Sequence, residues 1–188
     1  DLIGRKHSPQ QIKEAFVLAR ECGIGTINTD LITGLPGEAP EDFEDTLRQI
    51  LALAPENITI HTLAVKRGSR LIEEDKEYSY RSGETVRSML SAADSMLHEN
   101  GYSPYYLYRQ KHMAGNFENV GWCIPGTANI YNIRIMEEDQ SIIALGAGGI
   151  SKVYYPEEDR LERVPNVSNF EIYIQRIDEM IKRKVDGL

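Results

Sequence analysis

The stretch Ile27-Asn28-Thr29-Asp30-Leu31-Ile32-Thr33-Gly34-Leu35-Pro36-Gly37-Glu38 constrains this chain more than any other, because it runs a strand carrying one carboxylate into a Gly-Leu-Pro-Gly turn. Side chains alternate along a strand, so Asn28, Asp30 and Ile32 share one face and Ile27, Thr29 and Leu31 the other. The strand reads as buried, and an acid there needs a partner because an unpaired buried charge is costly. Pro40 then leads Glu41, Asp42, Glu44 and Asp45. Proline needs no amide hydrogen in a first helical turn and acids complement the helix dipole, so a helix begins here. A strand feeding directly into a helix is the joint at which α/β folds place their chemistry.

The flanks repeat the pattern. Ser8, Pro9 and Gln11 make an N-cap, a first-turn proline and a capping box, after which Ile12, Ala15, Phe16, Ala19 and Cys22 fall on one helical face before Gly23 stops it. After the Asp30 strand, a second helix buries Phe43, Leu47, Ile50, Leu51 and Ala54 and ends at Pro55. A second strand, Ile58 to Ala64, follows, with Ile58, Ile60, Thr62 and Ala64 on one side. Helix, strand, helix, strand with short links implies parallel βα units. One such pair cannot close a sheet. The chain opens at Asp1 without Met, signal peptide or transit sequence, which raises the expectation that it is the downstream part of a longer enzyme.

Beyond Lys66-Arg67-Gly68-Ser69 the character changes. Ser82 is placed to cap a helix burying Val86, Met89, Leu90, Ala93 and Leu97, which Gly101 ends. Short runs separated by turn-rich segments then predict strands at Tyr102 to Tyr108, Tyr131 to Met136, Ser141 to Leu145, Lys152 to Tyr155 and Leu161 to Val164, with Glu137-Glu138-Asp139-Gln140 as a polar hairpin link. A small antiparallel sheet is expected. The capping box Ser168-x-x-Glu171 opens a final helix that buries Phe170, Tyr173, Ile174, Ile177 and Ile181.

Composition narrows the function classes. A net charge of −8 argues against nucleic acid as the main partner, because phosphate binding needs a basic surface. No apolar run approaches the roughly twenty residues of a membrane span. Two cysteines in an acidic chain suggest a reducing, cytoplasmic compartment. Cys22 on its apolar stripe and Cys123 beside Trp122 read as free core thiols. His7, His61, His98 and His112 show no metal-ligand spacing, so no metal is assigned.

Three blocks carry a resemblance. Ile3-Gly4-Arg5-Lys6-His7-Ser8, the Asp30-to-Gly37 turn, and Leu107-Tyr108-Arg109-Gln110-Lys111-His112-Met113-Ala114-Gly115-Asn116-Phe117-Glu118-Asn119-Val120-Gly121-Trp122 resemble radical S-adenosylmethionine (SAM) enzymes of the oxygen-independent coproporphyrinogen III oxidase group. The last block, with Ile142-Ile143-Ala144-Leu145-Gly146-Ala147-Gly148-Gly149-Ile150-Ser151-Lys152, is most similar to the HemZ-type branch. The likeness covers nearly the whole chain. It implies an α/β fold in which residues 1–66 are the C-terminal portion of a partial parallel (β/α) barrel and residues 67–188 form an α+β region with a small antiparallel sheet. It implies SAM as cofactor, and in the parent protein a [4Fe–4S] cluster that cleaves SAM to methionine and a 5′-deoxyadenosyl radical. In the porphyrin branch that radical abstracts hydrogen from a propionate of coproporphyrinogen III, which becomes a vinyl group. By position Arg5 and Asp30 match SAM-contacting residues, and Ala64 matches a backbone contact to the cofactor. A carboxylate can pair with sulfonium, amino or ribose groups, and a guanidinium can hold a carboxylate with two prongs.

One departure matters. The family's cluster needs a Cys-x-x-x-Cys-x-x-Cys run, and this chain has only Cys22 and Cys123. Thiolates hold such clusters, so these residues alone are not expected to bind one or to form the radical. A tetracarboxylate substrate needs cations, which nominates Arg109, Lys111 and Lys152 for the propionates. The glycine loops Gly115–Asn119 and Gly146–Gly149 are expected to border the pocket, with tight packing as the competing explanation. The implied chemistry also calls for an electron donor protein. Three functional readings follow: a coproporphyrinogen oxidase, a haem carrier with His112 as the axial ligand, or a piece that only completes its parent's fold. Open sheet edges invite pairing, so the piece is expected to self-associate or to cover its sheet with its own C-terminal half.

Overall fold

The computed structural model describes residues 6–64, 83–108 and 117–185. In chain order the elements are α1 (Pro9–Glu21), β1 (Asn28–Thr33), α2 (Pro40–Leu51), β2 (Asn57–Thr62), α3 (Gly83–Glu99), β3 (Ser103–Tyr108), β4 (Asn119–Cys123), α4 (Ile130–Glu137), β5 (Ile150–Tyr155), β6 (Arg160–Pro165), α5 (Phe170–Gln175) and α6 (Ile177–Val185). They fall into two compact units, Asp1–Asn129 and Ile130–Leu188.

In the first unit β1 and β2 pair in parallel, as the alternation of helix and strand predicts, and two antiparallel strands extend the sheet in the order β1-β2-β4-β3. The helix N-termini follow local chemistry. Ser8 Oγ accepts from the Gln11 amide at 3.2 Å while Gln11 Oε1 accepts from the Ser8 amide at 2.8 Å, closing the capping box of α1. Pro40 opens α2, and Asp42 Oδ2 accepts from the Ala39 amide at 3.0 Å. The core lies on one side of the sheet, where Phe43, Leu47 and Ile50 of α2 meet Met89, Ala93 and Leu97 of α3 over Ile58, Ile60 and Trp122. Gly34 makes this packing possible. Its φ of +79° suits glycine, and a Cβ there would stand 2.7 Å from Val86 Cγ2.

The structure departs from three expectations here. Ala54 is exposed, because α2 ends at Leu51 and Ala54 turns the chain at a φ of +49°. The left-handed region costs an L-residue about 1–2 kcal/mol, part of which glycine forfeits to its greater unfolded freedom. Ala54→Gly is therefore expected to stabilise the chain by about 0.5 kcal/mol. An unmoved or lowered denaturation midpoint would contradict this. Cys22 is free but exposed, whereas Cys123 is free and buried. Only Phe16 of the expected α1 stripe is buried.

In the second unit β5 and β6 form the expected antiparallel pair. The strand expected at Tyr131 to Met136 is instead helix α4. With no neighbouring strand among the described residues to accept its ladder, this run satisfies its backbone locally, and Arg134 bridges Glu137 and Asp139 at 3.0 Å each. Ser141 to Leu145 thereby loses its hairpin partner and keeps a single bridge, Ile142 to Lys152. The last helix is split at Arg176, and Asn169 rather than Ser168 caps it, accepting from the Ile172 amide at 2.9 Å. The split turns Met180 and Lys184 inward, leaving Phe170, Ile174, Ile177 and Ile181 exposed and Tyr173 partly buried. The Gly146–Gly149 loop is tied down from within. Asn166 donates to Gly146 O at 2.7 Å and Ala144 O at 3.4 Å, Tyr173 Oη accepts from the Gly146 amide at 3.2 Å, and Lys184 Nζ holds Asn166 Oδ1 at 2.6 Å.

Candidate functional site

One face of the sheet in the first unit is apolar and packed; the other is polar. Parallel register places Asp30 opposite Thr59, so Asn28 and Asp30 of β1 share a face with Thr59 and His61 of β2. Thr59 in turn faces Gly121 of β4, which faces Tyr106 of β3. Side chains two strands apart ordinarily stand about 10 Å from each other. Here they meet, because Gly121 leaves the intervening strand bare. Thr59 Oγ1 lies 3.3 Å from Tyr106 Oη, and Tyr108 Oη lies 3.1 Å from His61 Nδ1. The Tyr106 ring lies across the glycine: a Cβ on Gly121 would stand 1.8 Å from it. The rings of Tyr106 and Tyr108 are nearly parallel, with centroids 6.2 Å apart. Gly121→Ala is therefore expected to expel the Tyr106 ring and to destabilise the unit by about 1 kcal/mol. Tyrosine fluorescence and a denaturation curve would report it; native values for both would show that the ring moves aside freely.

Asp30 is more open than a buried strand implies. Its side chain is 62% exposed, although Thr59 beside it on the same face is buried. The acid still has partners. Oδ1 accepts from Asn28 Nδ2 at 2.8 Å and stands 3.5 Å from His61 Nε2. The His61 imidazole, with a smaller contribution from Asn28, outweighs partial desolvation and holds the Asp30 carboxyl below the ordinary aspartate range.

At the C-terminal ends of β1 and β2 a cavity of about 1100 Å³ opens, bounded by Asp30, Ile32, Glu38, His61, Thr62, Ala64 and Tyr108 among others. Carboxyl ends of parallel strands are where such folds bind ligands. Burial pushes the Glu38 carboxyl up, while the Leu35 amide at 3.4 Å counters part of that rise. Thr62 Oγ1 is buried with no hydrogen-bond partner among the described residues, although the Thr62 amide donates to Asn119 Oδ1 at 2.8 Å. An open carboxylate and a second acid at one cavity suit a ligand bearing positive charge and hydroxyl or amino groups, which describes SAM. An iron–sulfur cluster does not fit these residues. The two cysteines are separated by most of the chain, and no group of three His, Cys, Asp or Glu among the described residues could hold a metal.

Of the residues singled out in the sequence, Asp30 and Ala64 come together at this cavity. Arg5, Arg109, Lys111 and His112 lie outside the described residues. Lys152 belongs to the second unit, where its Nζ donates to Glu138 Oε1 at 2.6 Å and to Ile135 O at 3.1 Å and its side chain is 16% exposed. His61, Tyr106 and Glu38 were not singled out. The signal for His61 was available, since it sits two residues after Thr59 on the strand next to Asp30.

Residues 1–50 match the Radical SAM superfamily. The chain is 40% identical over 99% of its length to the Oxygen-independent coproporphyrinogen-III oxidase-like protein HemZ of Bacillus subtilis, and covers 37% of that protein. It is 28% identical over 82% of its length to Heme chaperone HemW of Escherichia coli, again covering 37%. Among solved structures it is similar in fold to coproporphyrinogen III oxidase (HemN) from Escherichia coli, at a TM-score of 0.63 and 19% identity, over 95% of this chain and 40% of that one. The chain thus spans less than half the length of these relatives. Among the described residues no helix is long and apolar enough to cross a membrane.

Proposed function

Because the chain belongs to the radical SAM family of oxygen-independent coproporphyrinogen-III oxidase-like proteins, we propose that it is the part of a cytoplasmic oxidoreductase that holds SAM and a tetrapyrrole. In this reading the parent decarboxylates coproporphyrinogen III propionates to vinyl groups. The observation that carries it is the meeting of Asp30 and Ala64 at one cavity on the carboxyl ends of parallel strands. Residues 1–66 would then be the last βα units of a partial barrel whose interior is the polar sheet face, and 67–188 would complete the α+β remainder. When bound, SAM supplies the carbon radical that abstracts hydrogen from the propionate.

The chain's own residues bind and orient. The Asp30 carboxylate, ionised over the physiological range, takes a positively charged or hydroxyl group of the cofactor through Oδ2, since its described contacts address Oδ1. Arg5 holds the cofactor's carboxylate, and the Ala64 backbone seats it. Lys152 is committed to Glu138, so Arg109 and Lys111 are the stronger candidates for the propionates.

A second reading, a haem carrier, is favoured by the likeness to HemW. Titrating full-length protein with haem and with coproporphyrin separates the two. The oxidase reading expects Arg109→Ala with Lys111→Ala to weaken coproporphyrin binding at least tenfold. Tight haem binding abolished by His112→Ala, with coproporphyrin binding indifferent to the two cations, would favour the carrier.

A further inference from the structure

His61 is the residue through which both sides of the open sheet face communicate. Its ring stands between a carboxylate on β1 and a phenol on β3, with Nε2 3.5 Å from Asp30 Oδ1 and Nδ1 3.1 Å from Tyr108 Oη. The Tyr108 ring also meets the imidazole edge-on, with centroids 6.2 Å apart and planes at 72°. A phenol that donates to Nδ1 leaves the proton on Nε2, where it points to the acid. The tyrosine hydroxyl and the acid thus hold the ring at its two nitrogens. Between them runs β4, where Asn119 stands in register with Tyr108 and turns its Oδ1 to the Thr62 amide.

We propose that His61 is a positioning residue for Asp30: held by Tyr108, it fixes the Asp30 carboxylate so that the second oxygen is presented to SAM. This rests on the reading that Asp30 binds the cofactor. The argument for positioning rather than support of the fold is spatial. The His61 side chain is on the polar face, 25% exposed, and contributes nothing to the apolar cluster on the other side of the sheet. An exposed aspartate samples several rotamers, and a donor that selects one removes an entropic cost from ligand binding.

The test is a set of SAM-binding isotherms on full-length, cluster-reconstituted protein, with no reductant so that no turnover intervenes. Asp30→Ala should lose affinity strongly. His61→Leu should weaken SAM binding about tenfold, as expected for a hydrogen bond to a charged group, and should cause no further loss when combined with Asp30→Ala. His61→Gln, whose amide nitrogen can occupy the place of Nε2, should recover most of the affinity. Tyr108→Phe keeps the ring and removes the hydroxyl; it should lose severalfold, again only when Asp30 is present, and so reads the same chain if His61→Leu fails to fold. Native affinity for His61→Leu alongside a loss for Asp30→Ala would overturn the inference alone. Additive losses in the double variant would also overturn it, because a structural role does not depend on Asp30. Native affinity for Asp30→Ala would overturn the cofactor reading and this inference together.

Discussion

Replacing Asp30 with alanine in the full-length protein is expected to weaken SAM binding on the order of 10²-fold while leaving stability within about 0.5 kcal/mol of native. The two halves of this expectation come from one fact. Asp30 has 62% of its side chain exposed, so the fold asks little of it. Its charge is nevertheless maintained by His61 and Asn28, which keep the carboxyl below its ordinary range. A ligand cation meeting that carboxylate gains a charge-assisted bond worth about 1.5–3 kcal/mol, which is the affinity the alanine forfeits. Binding isotherms and chemical denaturation on the same samples check both halves. Equal losses of affinity and stability would mean that Asp30 supports the fold and only indirectly the site.

Glu56→Ala is expected to do the reverse, costing about 2–3 kcal/mol of stability. Glu56 precedes β2 and ties three segments together. Its carboxylate accepts from Arg20 Nη2 through both oxygens, at 2.8 and 2.9 Å, and from the Ile27 amide at 2.8 Å, just before β1 begins. Arg20 meanwhile donates to the carbonyls of Ile24, Gly25 and Ala54. Removing the acid leaves the Ile27 amide without its acceptor and a guanidinium among carbonyls. Solvent reaches Arg20, whose side chain is 35% exposed, so the loss falls below that of a fully buried pair.

The pH dependence follows from the same contacts. Desolvation pushes the Glu56 carboxyl up, but the Arg20 and Ile27 bonds together outweigh it and leave the folded value below the ordinary 4.5. The unfolded chain therefore binds the proton first. The contribution of Glu56 is complete above pH 4.5 and disappears as the pH falls through the lower folded value. Denaturation midpoints measured from neutral pH downwards should converge for native and Glu56→Gln proteins only in that acid range. A constant difference between them at every pH would contradict the assignment.

How much of this was legible depended on whether local chemistry decided the outcome. The capping box at Ser8, Pro40 opening α2, and Gly101 closing α3 are chemistry within a few residues, and each appears where the sequence put it. The parallel pairing of β1 with β2 followed from the helix between them. The exposure of Asp30 was not legible, because alternation tells which residues share a face but not which face is covered. Residues 131–136 were misread as a strand for a related reason. Tyr131, Ile133 and Ile135 alternate, yet a strand needs a neighbour, and the sequence does not say that none is present. The site itself was half visible. Asp30 and Ala64 could be carried from the family resemblance, whereas the contact between Thr59 and Tyr106 depends on a glycine in a third strand and that between His61 and Tyr108 on register across three strands.

Radical chemistry on a porphyrinogen is the role proposed for this sheet face. The direct measurement is anaerobic turnover of the full-length, cluster-reconstituted protein with SAM, a reductant and coproporphyrinogen III, following 5′-deoxyadenosine and vinyl products together. Formation of both, lost on Asp30→Ala, is the predicted result. Deoxyadenosine without vinyl product would contradict the oxidase assignment and move the substrate elsewhere.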